Sequence, residues 1–311
     1  MILLRQRFQS WNHKFVILPI ALYCVVAIVH FSPARIQKYP FPIVHLQFPI
    51  LNVSSSAGAC DPHSPPFFTV ASSFNTDKTH HAPHHYEDAY QAHLAPLRCG
   101  AKSMLEIGLG CGISYGAGHS VPLWLSYLPS ATISIFEFGY PCVVDFLEQN
   151  PLKLSRSDFA RLHVFTGDQS DPDALLRAAA ATGPFDVIVD DGGHSMLQQL
   201  VSLSVLLSHV KPGGVYILED LATSFLPSYK DFPLSTVAFV GQVLECLHAS
   251  PLGQNRIPPP TPRPSDARIA DPCDLAKLIE SVSCFEEVCV FTRWAKGASE
   301  SAHVDTRRTK G

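Results

Sequence analysis

The chain lacks the features that mark several common functions. Its 23 Lys and Arg stand against 27 Asp and Glu, a formal net charge of −4 over 311 residues. No basic field is therefore available to hold nucleic acid. The nine cysteines form no C-x-x-C pair and no H-E-x-x-H occurs, which removes the common zinc clusters. No internal repeat is present. A glycine loop exists but is not G-x-G-x-x-G, because position 113 is Ile. The acid ending the next strand also lies farther from it than the ~20 residues usual in a nicotinamide-binding unit. Hydride transfer is disfavoured.

With 46% hydrophobic residues, the chain can bury one substantial core and has length left for appendages. Residues 15–31 (FVILPIALYCVVAIVHF) carry no formal charge. At 1.5 Å per residue, about 17 residues is near the lower limit for a membrane-spanning helix. Arg5, Arg7 and Lys14 precede the segment and Arg35 and Lys38 follow it, which favours a cytoplasmic N-terminus over 1–14 and a signal-anchor over 15–31. A signal peptide cleaved near Ser32-Pro33-Ala34 and a buried soluble helix are the rival readings. The anchor makes this a single-pass protein of the endoplasmic reticulum or Golgi with a luminal catalytic domain. Asn52-Val53-Ser54 is then a usable glycosylation sequon. An oxidising lumen allows disulfides, and Cys284 and Cys289 flank an expected hairpin, although two ordinary buried thiols is the preferred reading. Residues 32–66, rich in Pro, Ser and His, read as a stem. A folded domain is expected over 67–294, with a proline-rich insertion at 250–272 and a disordered tail at 295–311.

Within the domain, strands alternate with helices. Strands are expected at 103–108, 131–138, 161–166, 185–190 and 214–219, several of them near-continuous apolar runs suited to parallel strands covered on both faces. Helices are expected at 85–97, 195–209 and 274–282, the second stopped by Lys211-Pro212-Gly213-Gly214. Residues 282–285 and 288–292 read as a closing antiparallel pair. The fold class is therefore α/β: a Rossmann-like, seven-stranded sheet of the S-adenosylmethionine (SAM)-dependent methyltransferase type, with an N-terminal transmembrane helix.

In an open α/β sheet, ligands bind beyond the carboxyl ends of the strands. Glu106 and the glycines Gly108, Gly110 and Gly112 are expected to face the amino-acid part of SAM. Glu137 is placed to accept from both ribose hydroxyls and Asp168 to meet the adenine amino group, with Asp190 grouped among the cofactor-facing acids. A second constellation is sharper. Asp190-Asp191-Gly192-Gly193-His194 ends the fourth strand and Glu219-Asp220 the fifth, bringing four carboxylates and an imidazole together. Such a cluster repels itself unless a hard divalent cation resolves the conflict. Helix caps, surface acids and a structural histidine are the plain alternatives. Residues 79–85 (THHAPHH) read as a loop over the cofactor pocket, with His85 and Tyr86 closing it, in preference to a zinc site.

Thr76-Asp77-Lys78, His84-His85-Tyr86, LEIGLG, FTGDQ, VDDGGH, KPGG and LEDL occur in an order that resembles the metal-dependent sugar O-methyltransferases of macrolide pathways; fungal hard-surface-induced proteins are similar. The resemblance covers about 73–292 without the insertion. It implies that Asp191, Glu219 and Asp220 hold Mg2+, that His194 is the general base, and that the acceptor is a small-molecule or glycan hydroxyl. The membrane segment, the insertion and the lack of a long N-terminal auxiliary domain depart from the pattern and leave the acceptor open, as the oligomeric state is. A Golgi-type metal-dependent glycosyltransferase and an inactive methyltransferase-fold binding protein are the rival functions.

Overall fold

The computed structural model describes residues 13–20, 23–30, 43–47, 65–79, 84–114, 116–249 and 266–295. An apolar run such as Phe185-Asp186-Val187-Ile188-Val189 can be buried on both faces only between two covering layers, and that is the arrangement found. The strands are β1 (His13–Ile20), β2 (Tyr23–His30), β3 (Ile43–Gln47), β4 (Ser103–Ile107), β5 (Thr132–Glu137), β6 (Leu162–Thr166), β7 (Phe185–Asp190), β8 (Val210–Leu218), β9 (Ile279–Phe285) and β10 (Val288–Arg293). They form one sheet in the order β1-β2-β3-β6-β5-β4-β7-β8-β10-β9. From β6 through β8 the neighbours are parallel, while β10 runs antiparallel to both β8 and β9. The seven strands from β6 to β9 make the expected mixed sheet.

The helices are α1 (Phe67–Ala71), α2 (Glu87–Leu94), α3 (Ser120–Tyr127), α4 (Tyr140–Gln149), α5 (Arg156–Phe159), α6 (Pro172–Thr182), α7 (Met196–Leu206), α8 (Thr236–Ala249) and α9 (Pro272–Ala276). Val187 and Val189 pack into the layer of α1 to α5, and Ile188 into the opposite layer of α6 to α9. This alternation is the period-2 pleat. Each such side chain contributes roughly 1.5–3 kcal/mol when fully buried, so the centre of the sheet is a rigid base for groups at its carboxyl edge. Sheet growth reverses between β4 and β7, the crevice where open α/β sheets bind ligands.

Several expectations need correction. The described residues of the expected transmembrane helix, 15–20 and 23–30, are not helical: they fall in β1 and β2, an antiparallel pair registered His13 against His30. Val16, Ile17, Val25, Val26, Ile28 and Val29 suit a pleated surface, and Pro19 would break a helix interior. Among the described residues, no helix is long and apolar enough to cross a membrane. The supposed stem contains β3, which pairs with the outer edge of β6, where unpaired backbone groups recruit a further strand. The last part of the proline-rich insertion is packed, with Ile269 buried. The helix expected at 274–282 is only α9, capped by Asp271, which accepts from the Cys273 amide at 2.9 Å; β9 begins at Ile279. Helix α8 had no sequence assignment. Cys284 and Cys289 sit opposite each other across the hairpin and are bonded, contrary to the preferred reading. Cys111–Cys142 and Cys246–Cys273 are further disulfides. The sequon at Asn52, the terminal segments 1–12 and 296–311, and 250–265 lie outside the described residues.

Candidate active site

The carboxyl ends of β4, β5, β7 and β8 open on a cavity of about 550 Å3, within the range of small-molecule sites. Its wall includes the glycine loop after β4, Glu137, Asp191, His194 and Asp220. Gly108 fixes how this loop meets the one after β7. Its φ is 101°, and a Cβ there would lie 2.0 Å from the Asp191 carbonyl oxygen. Only glycine allows both the backbone angle and the contact. The Asp191 amide donates to the Ile107 carbonyl at 3.0 Å, and the Glu219 amide to the Asp190 carbonyl at 3.1 Å. The three strand ends are thus stitched together by main chain.

Glu106 is 1% exposed, and one oxygen accepts from Ser120 Oγ at 2.7 Å. Its other oxygen has no partner among the described residues. Burial pushes its carboxyl up to about 7. Glu137 lines the cavity, but both oxygens are already engaged, by the Leu109 amide and the Gly139 amide, each at 2.8 Å. Asp168 is turned onto its own loop, where one oxygen takes the Ser170 amide and hydroxyl at 2.8 Å; its neighbours Gly167 and Gln169 line the cavity instead. Asp190 does not face the cavity either. It is buried, accepting from Gln169 Nε2 and the Tyr216 hydroxyl at 2.6 Å and also from Ser202. Burial raises its carboxyl to about 6 against those hydrogen bonds. Gln169 in turn accepts from the Gly193 amide at 3.0 Å, so Asp190 braces the loop that carries Asp191 and His194.

The structure gathers Asp191, His194 and Asp220, with ligating atoms within 4.8 Å of one another. His194 Nε2 lies 3.2 Å from Asp220 Oδ2 and 3.9 Å from Asp191 Oδ1. His194 and Asp220 both adopt φ of 56°, a left-handed conformation that costs a non-glycine residue about 1–3 kcal/mol. Both backbones are held near one hydroxyl: Thr223 Oγ1, with a single proton to give, lies 2.7 Å from the Asp220 carbonyl oxygen and 3.1 Å from that of His194.

Glu219 stands apart from that trio. One oxygen accepts from Lys78 Nζ at 2.8 Å and the other from the Tyr90 hydroxyl. Lys78 Nζ also donates to Asp191 Oδ2 at 2.6 Å. Burial opposes the charge of this lysine, but Asp191 and Glu219 outweigh it and hold the ammonium well above the usual lysine range. The Tyr86 hydroxyl donates to Asp220 Oδ1 at 2.6 Å. Burial and the charges of Glu219 and Asp220 push that phenol upward, so it remains a donor. Burial pushes the Glu219 carboxyl well above its usual range, against the pull of the Lys78 charge, while the oxygen donors of Asp191 and Asp220 suit a hard divalent cation. Asp191 and Asp220 therefore fit a magnesium ion, whereas Glu219 is committed to Lys78 and Tyr90.

Lys78, Tyr86 and Tyr90 carry these contacts, yet no chemical role was legible for Lys78 or Tyr90. Lys78 is 113 residues from Asp191, and sequence spacing cannot join groups at that separation. Of the histidine-rich run, His84 Nδ1 lies 3.1 Å from Glu287 and 3.7 Å from Asp220, its ring stacked on Tyr86.

No family model matches the chain. Among curated proteins it is 35% identical over 170 residues to the 8-demethyl-8-alpha-L-rhamnosyl tetracenomycin-C 2'-O-methyltransferase of Streptomyces olivaceus, covering 53% of this chain and 42% of that protein. It is 34% identical over 172 residues to the L-olivosyl-oleandolide 3-O-methyltransferase of Streptomyces antibioticus, covering 53% and 40%. A solved structure of the MycE methyltransferase from the mycinamycin biosynthetic pathway, in complex with Mg, SAH and mycinamycin VI, superposes with a TM-score of 0.58 at 22% identity. The match covers 78% of this chain and 57% of that one. The chain has a methyltransferase fold, and its sequence relatives are sugar O-methyltransferases. It spans less than half the length of the two curated relatives.

Proposed function

We propose that the protein transfers the methyl group of SAM to a hydroxyl of a sugar or glycoconjugate, assisted by Mg2+. One observation carries this reading: Asp191, His194 and Asp220 converge at the wall of a cavity bounded by the glycine loop. The relatives' printed activities on rhamnosyl and olivosyl groups support the acceptor class, and the Mg and SAH of the superposed structure support the cofactors.

A sugar hydroxyl is a weak nucleophile at neutral pH. Asp191 and Asp220 would hold the magnesium ion, which polarises such an oxygen and fixes its direction when bound. Glycines 108, 110 and 112 let the main chain approach the methionine part of SAM, beside Glu106, while Glu137 holds the two flanking loops together and borders the ribose side. His194 Nε2, at the edge of the acid pair, takes the hydroxyl proton as the oxygen forms its bond to the methyl carbon and the sulfonium bond breaks. Holding the two reactants in line removes much of the entropic barrier. Seven described cysteines are disulfide-bonded, which supports an oxidising compartment, the lumen of the endoplasmic reticulum or Golgi.

Calorimetry on the full chain tests the reading. SAM and SAH should bind, and Mg2+ should bind in their presence. Tight binding of a nucleotide sugar with no response to SAM would replace this reading by a glycosyltransferase.

A further inference from the structure

We propose that Lys78 is a positioning residue for the metal centre: its buried ammonium ties Asp191 to Glu219 and so aims the free oxygen of Asp191 at the cation position shared with Asp220. The inference rests on the magnesium-assisted reading above and adds to it how the site is kept in shape before a cation arrives.

Lys78 is 1% exposed. A buried ammonium is costly unless fully paired, and this one has two carboxylate partners, at 2.6 and 2.8 Å. Those partners follow adjacent parallel strands, β7 and β8, whose ends are in register at Asp190 and Leu218. The ammonium thus bridges two strand ends that carry like charges. It divides the Asp191 carboxylate between two tasks, with Oδ2 held by Lys78 and Oδ1 directed toward His194 Nε2 at 3.9 Å. Glu219, with one oxygen on Lys78 and the other on Tyr90, becomes the anchor that fixes the lysine. Asp220, oriented by Tyr86 at 2.6 Å, completes the cation position from the other side. The lysine and tyrosines surround the acids as the outer partners that orient metal ligands commonly do.

The opposite role is equally definite: Lys78 could be a built-in competitor that occupies the acids until a metal displaces it. The two roles predict opposite signs. Mg2+ is titrated into the full chain by calorimetry for wild type, Lys78→Met and the charge-balanced double variant Lys78→Met/Glu219→Gln. SAH affinity without metal and near-ultraviolet circular dichroism are measured on the same samples. The double variant is the informative arm if Lys78→Met, which leaves the buried Glu219 and the partly exposed Asp191 without their ammonium, does not fold. A positioning role predicts Mg2+ binding weaker by about 10–100-fold, with SAH affinity and the dichroism spectrum kept near wild type. Mg2+ binding as tight as wild type or tighter overturns it, as does a parallel loss of SAH affinity, which would make the lysine merely structural. A wild type that binds SAH but no Mg2+ removes the metal-assisted reading itself, and this inference with it.

Discussion

Glu106 illustrates how far burial alone sets a side chain's chemistry. Its carboxyl stands at about 7 against an ordinary 4.5, chiefly through burial. The folded state therefore retains a proton that the unfolded chain releases between about pH 4.5 and 7. That contribution to stability is complete below the window and is lost as pH rises through about 7, on the order of 3 kcal/mol in all. Glu106→Gln, a mimic of the neutral acid, should flatten this slope in urea melts at roughly pH 5 and pH 8; an unchanged slope would show that another group titrates. His194→Ala should keep SAM affinity and lose turnover by roughly 10²–10⁴-fold, measured as methyl transfer from labelled SAM to a rhamnoside acceptor. Turnover like wild type would reject the base. Glu106 was legible from the glycine loop that begins two residues after it, and His194 from the Asp-Asp-Gly-Gly-His run that closes the apolar strand β7. The orientation of Asp168 and Asp190 was not: a residue's position at a strand end does not say to which side the pleat turns it.

Between elements, the disulfide Cys111–Cys142 joins the glycine loop to the first turn of α4. Glu137 bonds the amides on either side of the same gap, at Leu109 and Gly139. Two ties, one covalent, thus fix the loops that would flank the cofactor, and such preorganisation lowers the ordering cost of binding. Cys111→Ser/Cys142→Ser should weaken SAH binding several-fold, on the order of 1 kcal/mol, and a reductant should weaken the wild type likewise while leaving the double variant unaffected. Equal SAH affinity in calorimetry would show the ties to be redundant. The core elements β4 to β8 were readable because parallel strands buried on both faces are continuous apolar runs. The strands at 15–20 and 23–30 were not readable because hydropathy measures how apolar a segment is, whereas the choice of strand depends on partners such as β3 and on the edge of β6.

For the whole molecule, binding and stability are linked. A ligand that binds only the folded state at about 100 times its dissociation constant adds roughly 2.7 kcal/mol, which raises the melting midpoint by about 5–11 °C at this domain size. SAH at that excess should produce such a shift by calorimetric scanning, Mg2+ should add to it, and a chelator should remove the added part alone. No shift with SAH would mean that the cavity is not a cofactor site. The sugar O-methyltransferase relatives match about half of this chain; the cavity itself lies at the carboxyl ends of the parallel strands, so the linkage belongs to the α/β domain.

By itself the sequence determined the alternating α/β order, the glycine loop, and the acids and histidine that follow β7 and β8, because local apolar periods and turn residues act over a few positions. Tertiary structure alone decided which carboxylates meet. It buried Asp190 behind the site, gave Glu219 to Lys78 and Tyr90, and left Asp191 and Asp220 beside His194. The physical reason is range: a buried charge must find its partner wherever packing places one, and that partner can be a hundred residues away.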